Sequence, residues 1–218
     1  MPDVVALRPD TRDMLAVHKV FRDALAAAPK IVGAASSSDR EHAANVASFY
    51  ANVLAFLHVH HEGEDALVWP KLLERAPEQA ARVQEIAGQH DTVTERLAVA
   101  EQELASWAEK PDVDHGAKLA GALVMLARDL IPHLDQEETF VLPLIEAHLT
   151  AEEYAELPAH GMQHFSGDKV WVLLGLLFEA MPPVQREMTL AHMPPPVADF
   201  WVNAGRPMFD EFIADVRR

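Results

Sequence analysis

Residues 60–70 read HHEGEDALVWP and residues 133–143 read HLDQEETFVLP. Both follow His-x3-Glu-x5-Pro: His60, Glu64 and Pro70 in the first, His133, Glu137 and Pro143 in the second. An acidic residue, Asp65 or Glu138, follows each glutamate. Residues i and i+4 stand one above the other on a helix face, so each segment is expected to form a helical turn that aims an imidazole and a carboxylate at the same point. His58 and Glu62 share the spacing, but register sets them aside. The apolar stripe of Val46, Phe49, Val53 and Leu57 continues inward at 60 or 61, then 64 and 67. In the second segment, His133 and Glu137 belong to the stripe of Leu126, Leu130, Phe140 and Leu144.

The same periodicity extends outward over the rest of the chain. Ala, Leu, Glu and Arg dominate, β-branched runs are short, and apolar residues recur at helical spacing, which predicts an all-α protein. A first helix is expected over about 11–28, with Met14, Val17, Phe21 and Leu25 inward, ending where Pro29 opens a loop. A second is expected from an N-cap at Asp39 to about Trp69. A third runs from about Glu78 to Glu109, and a fourth from about Gly116 to His148 with a kink at Pro132. Four long helices with short connections favour an up-down-up-down four-helix bundle over residues 1–150. Residues 151–218, interrupted by Pro182, Pro183 and Pro194–Pro196, are expected to be a helical extension packed on the bundle or covering a subunit interface, through which a homodimer would form.

The other two long helices each carry a histidine in the apolar stripe: His18 between Met14 and Phe21, and His90 between Ile86 and Val93. His18 precedes His60 by nearly the same length as His90 precedes His133. A helix pair contributing His, then His-x3-Glu, thus occurs twice. Packed about a pseudo-twofold axis, the pairs would bring four imidazoles and two carboxylates into the core. An ionised carboxylate needs a partner there, and two divalent cations supply the compensating charge. Imidazole and carboxylate donors together suit iron, with manganese or zinc as alternatives. Against this stands a structural bundle whose histidines are satisfied by ordinary hydrogen bonds.

Bulk properties narrow the field. The net charge of −16 argues against nucleic acid and against anionic membranes as partners. With 12 histidines and no cysteine, disulfides, thiolate zinc sites, iron–sulfur clusters and thiol catalysis are excluded. The opening residues show no signal-peptide pattern, and the longest apolar run, Val170–Phe178, is too short to span a bilayer. A cytoplasmic location is the default expectation.

With His18, HHEGEDALVWP, His90 in GQHDTVTERL, and HLDQEETFVLP all present, the chain resembles the hemerythrin-like family, or HHE cation-binding domains, over about residues 11–148. The resemblance implies a non-haem pair of iron ions, oxo- or hydroxo-bridged. His18, His60, His90 and His133 would be terminal ligands, and Glu64 and Glu137 bridging carboxylates. It also implies a small exogenous ligand: oxygen, nitric oxide or peroxide. The chain departs from the oxygen carriers of the family. Thr94 stands where they carry a second histidine on the third helix, and Glu137 lies four residues after its histidine, where they use a carboxylate five after. Some HHE proteins place a further glutamate ligand directly after the second-helix histidine. Here that residue is His61, which either binds iron or faces solvent.

Several residues are left with more than one reading. His160 and His164 are ligands, pocket lining or surface groups, the last or a supporting role being favoured. Asp65, Asp135 and Glu138 either hydrogen-bond ligand imidazoles or form a solvated face, and Tyr50 is read as core or rim in preference to redox-active. Two functions follow. The first is a di-iron protein that binds or processes a diatomic or peroxide. The second is an iron or redox sensor acting through a partner. A ferritin-like oxidase ranks low because Glu-x-x-His does not occur, and a zinc protease lower because His-Glu-x-x-His is absent.

Overall fold

The computed structural model describes residues 8–218, and every regular element among them is helical. The first half comprises α1 (Arg12–Ala34), α2 (Arg40–Leu67), α3 (Trp69–Arg75), a 3-10 turn (Pro77–Gln79), α4 (Ala80–Ala87) and α5 (Gln89–Glu109). The remainder comprises α6 (Val113–Gln136), a π-helical turn (Glu137–Val141), α7 (Leu142–His148), α8 (Ala151–His164), α9 (Val170–Ala180), α10 (Pro183–His192), α11 (Pro195–Phe200), a second π-helical turn (Trp201–Gly205) and α12 (Arg206–Val216). Among the long helices, α1 packs against α2 and α6, and α5 packs against α2 and α6.

Local chemistry explains most boundaries. Asp39 caps α2 by accepting from the His42 backbone N–H at 3.1 Å, as expected from sequence. Asp112 caps α6 in the same way through His115, so that helix starts three residues earlier than Gly116. The expected end of the first helix at Ala28 is corrected. α1 continues through Pro29 to Ala34, because Ala28, Ile31 and Val32 are buried and outweigh the one backbone hydrogen bond that the proline ring removes. Pro70 and Pro143 fall in the first turns of α3 and α7, where the missing N–H has no helical partner to lose. Each His-x3-Glu-x5-Pro segment is therefore a ligand-type turn followed by a restarted helix. The expected third helix is broken at Gly88, two residues ahead of His90, and the expected fourth at the π-helical turn. Inside that turn the Leu142 N–H bonds to Glu137 O, one residue further back than in an α-helix.

Two apolar clusters fill the interior. One holds Phe21, Leu57, Val93 and Leu130. The other holds Met14, Val68, Trp69, Ile86, Val141, Tyr154 and Leu157. His18, His60, His90 and His133 each lie in sequence between a member of one cluster and a member of the other, so a polar layer separates two apolar ones.

The extension shares this interior. Val172, Leu176, Phe178, Phe209 and Phe212 join the cluster around Phe21. α8 packs on α2, α9 on α1 and α2, and α12 on α2 and α9. Gly175 makes the last contact possible. A Cβ there would stand 2.2 Å from Phe209 Cδ2, so only glycine lets α9 and α12 approach this closely. α10, by contrast, buries none of its residues. Among the described residues no helix is long and apolar enough to cross a membrane.

Candidate metal centre

His18 on α1, His60, His61 and Glu64 on α2, His90 on α5, His133 on α6 and Glu137 at the π-helical turn are all buried. Their donor atoms form two adjoining groups. His18, His60, Glu64 and Glu137 place one atom each within 4.8 Å of one another, and so do His61, His90 and His133. The glutamates span both groups. Glu64 turns Oε1 toward His60 Nε2 (3.7 Å) and Oε2 toward His90 Nε2 (3.6 Å). Glu137 turns Oε2 toward His18 Nε2 (3.5 Å) and Oε1 toward His133 Nε2 (3.1 Å) and His90 Nε2 (3.8 Å).

Close as these atoms are, they do not satisfy one another. The Nε2 atoms of His18, His60, His61, His90 and His133 make no hydrogen bond, nor do Glu64 Oε2 and both Glu137 oxygens. Buried polar atoms without partners are costly. So many converging on one point is the pattern expected where cations complete the site, and a donor set of imidazole nitrogen and carboxylate oxygen fits iron, manganese or zinc.

The outer nitrogens are occupied. His18 Nδ1 donates to Glu138 Oε1 (3.0 Å), His90 Nδ1 to Asp65 Oδ1 (2.8 Å) and His133 Nδ1 to Gln89 Oε1 (3.1 Å). A proton fixed on Nδ1 leaves the Nε2 lone pair facing the centre. Arg22, one turn beyond His18, donates to Glu138 at 2.9 Å and pairs with Asp135 at 2.8 Å. Of the three acidic residues with two readings, Asp65 and Glu138 thus back imidazoles, whereas Asp135 pairs with Arg22. Gln89 and Arg22 were not singled out in the sequence. Gln89 precedes His90 directly, but nothing in its type marks it as a partner of His133.

Burial, together with the neighbouring imidazoles, pushes His60 and His61 well below the usual histidine range. Burial pushes Glu64 well up, and the charge of Glu137 adds to this. Glu137 feels the same burial, yet His133, His90 and His18 hold it well below the usual carboxylate range. Burial pulls His90 down, but Glu137 and Asp65 reverse that and raise it. These surroundings favour neutral His60 and His61 beside a charged Glu137.

His61 turns inward, its ring stacked on His90 with centroids 4.0 Å apart. The solvent-facing alternative for this residue does not hold. His160 and His164 lie outside the donor groups. His160 packs against Gly63, where a Cβ would stand 3.2 Å from its Cδ2, and the exposed His164 stacks on His160. Tyr50 is a core residue that donates to Ala24 O at 3.2 Å.

The helices and the buried nitrogen/oxygen cluster define an all-helical protein of a cation-binding type. The family model described as the hemerythrin HHE cation binding domain matches residues 10–145, and the chain belongs to that family. Comparison with curated proteins and with solved structures finds no match.

Proposed function

We propose that the chain is a non-haem di-iron protein that binds or processes a small ligand of the oxygen, nitric oxide or peroxide class. His18, His60, His61, Glu64, His90, His133 and Glu137 would hold the two ions, with Glu64 and Glu137 shared between them. The carrying observation is the convergence of buried, unbonded imidazole and carboxylate atoms from four helices. We take residues 1–150, of which 1–7 lie outside the described residues, as an up-down-up-down four-helix bundle and 151–218 as its helical extension. The order in which α1, α2, α5 and α6 pass between the two apolar clusters supports alternating directions.

A bound iron pair would supply redox electrons and a coordination position for the exogenous ligand. The chain's own residues would make the two positions unequal: His61, His90 and His133 gather in one group, and His18 and His60 with Glu64 and Glu137 in the other. Phe21, with its ring 5.4 Å from His60, and Trp69, 5.5 Å from His90, wall the centre with aromatic surface that keeps water out. Glu138 and Asp65 fix which imidazole nitrogen carries the proton.

Metal analysis with an absorption spectrum in air tests the reading. Two irons per chain are expected, and Glu64→Ala or Glu137→Ala should lower the content sharply. Protein that takes up no iron, or variants with unchanged content, would refute it. A sensor acting through a partner is favoured by one observation: α8 of the extension seats Leu157 and His160 on Gly63, next to Glu64. In that case removing iron should alter the protease sensitivity of residues 151–218.

A further inference from the structure

The chain has two tyrosines, and their surroundings differ in one decisive respect. Tyr50 donates to a neutral backbone carbonyl, Ala24 O. Tyr154, on α8, is also buried but donates to a carboxylate, Asp13 Oδ1, at 2.6 Å. Asp13 lies in the turn of α1 that precedes His18. One and two turns beyond Tyr154, Leu157 and His160 of the same helix lie against Gly63, beside Glu64. Tyr154 and Trp69 belong to the same apolar cluster, and the Trp69 ring is 5.5 Å from His90.

A phenol in an apolar layer beside a metal centre is an electron donor only if its proton can leave with the electron, because the radical cation has nothing there to solvate it. Tyr154 has such an acceptor and Tyr50 does not. Trp69 is near the centre too, but its Nε1–H makes no hydrogen bond and has no base to go to. We propose that Tyr154 and Asp13 form a proton-coupled one-electron donor pair serving the metal centre, so that the protein reduces peroxide with an electron drawn from its own chain.

The pair's environment agrees with this. Burial raises Asp13 above the usual carboxylate range, which makes it a better base for a short, direct transfer. Burial, with the charge of Asp13 and the hydrogen bond to it, holds the Tyr154 phenol protonated at rest.

The step balances with hydrogen peroxide as oxidant. The O–O bond breaks, and two electrons with two solvent protons give two waters. A ferrous ion held at the centre would supply one electron, becoming ferric, and Tyr154 supplies the other. The Tyr154 O–H bond breaks, its proton forms a new O–H bond on Asp13, and a neutral phenoxyl radical remains.

This rests on the di-iron reading, so the test loads the full chain with ferrous iron and verifies metal content first. Peroxide is then added, and samples are frozen for electron paramagnetic resonance. A tyrosyl signal is expected whose hyperfine lines collapse when the wild-type protein is grown with ring-deuterated tyrosine. Tyr154→Phe should abolish it and Tyr50→Phe should leave it. Asp13→Asn should slow its appearance by about 100-fold, the usual scale of a lost general base. A loaded protein that gives no radical, a signal that survives Tyr154→Phe, or a tryptophan signal lost in Trp69→Phe overturns the inference while the di-iron reading stands. A chain that takes up no iron overturns both.

Discussion

Two carboxylates back two imidazoles of the centre, and the structure ranks what each contributes. Glu138 accepts from His18 and Asp65 from His90, over 3.0 and 2.8 Å. The substitutions Glu138→Gln and Asp65→Asn keep an acceptor oxygen and remove only the charge. Loss of such a backing group typically weakens metal binding by about 10–100-fold. Asp65 has a side-chain exposure of 54%, so water already screens it, and Asp65→Asn is expected at the lower end, about tenfold or roughly 1.4 kcal/mol. Glu138 is 28% exposed. Arg22 does not cancel its charge, because Arg22 retains Asp135 as a second partner. Glu138→Gln is therefore expected near about 100-fold, roughly 2.8 kcal/mol. The two variants act on different groups of imidazoles, so each should weaken a different ion. Ferrous titration in competition with a coloured chelator, with metal per chain measured alongside, resolves the two steps. Equal losses, or a larger loss for Asp65→Asn, would refute the argument that screening ranks the two positions.

Other perturbations follow from the same geometry. Gln89→Glu gives His133 a charged acceptor and should tighten binding on the three-imidazole side by about tenfold, read in the same titration. Iron at a hundredfold excess over its dissociation constant should raise unfolding stability by about 2.7 kcal/mol, measured by urea melts with and without chelator. Gly175→Ala should cost about 1–3 kcal/mol despite alanine's better helix propensity, because its methyl group collides with the buried Phe209 ring; a neutral melt would refute the packing of α9 on α12. Glu153 closes the capping box of α8 and pairs with Arg75, whose guanidinium draws its carboxyl down to about 2. A lowered folded-state value means that this support is present above the unfolded value of about 4.3 and fades as pH falls through the folded one. Amide protection of the first turn of α8 in metal-free protein should therefore decline between about pH 4.3 and 2, and Glu153→Gln should remove that pH dependence.

Much of the centre was legible in the chain because helical spacing is a local property. Residues four apart share a face, so His60 with Glu64 and His133 with Glu137 could be paired, and the apolar stripe pointed all four inward along with His18 and His90. Local rules failed where burial outweighed a breaker, as at Pro29. They failed also where the helix widened: the π-helical turn puts Glu137 against His18 Nε2 and Glu138 against His18 Nδ1, although consecutive residues on a regular α-helix diverge.

His61 marks the boundary between the two kinds of information. The stripe admits position 60 or 61, and spacing alone supports only the residue paired with Glu64. Both turn inward because the layer between the apolar clusters is wide enough for adjacent imidazoles from α2, one facing α1 and the other stacking on α5. That depends on how neighbouring helices approach, a non-local quantity. The amino-acid order determined the all-helical class, the inward faces and six of the converging side chains. Tertiary packing alone decided the fifth imidazole, the Gln89 contact and the seating of α8 beside Glu64, since each joins residues that no helical period relates.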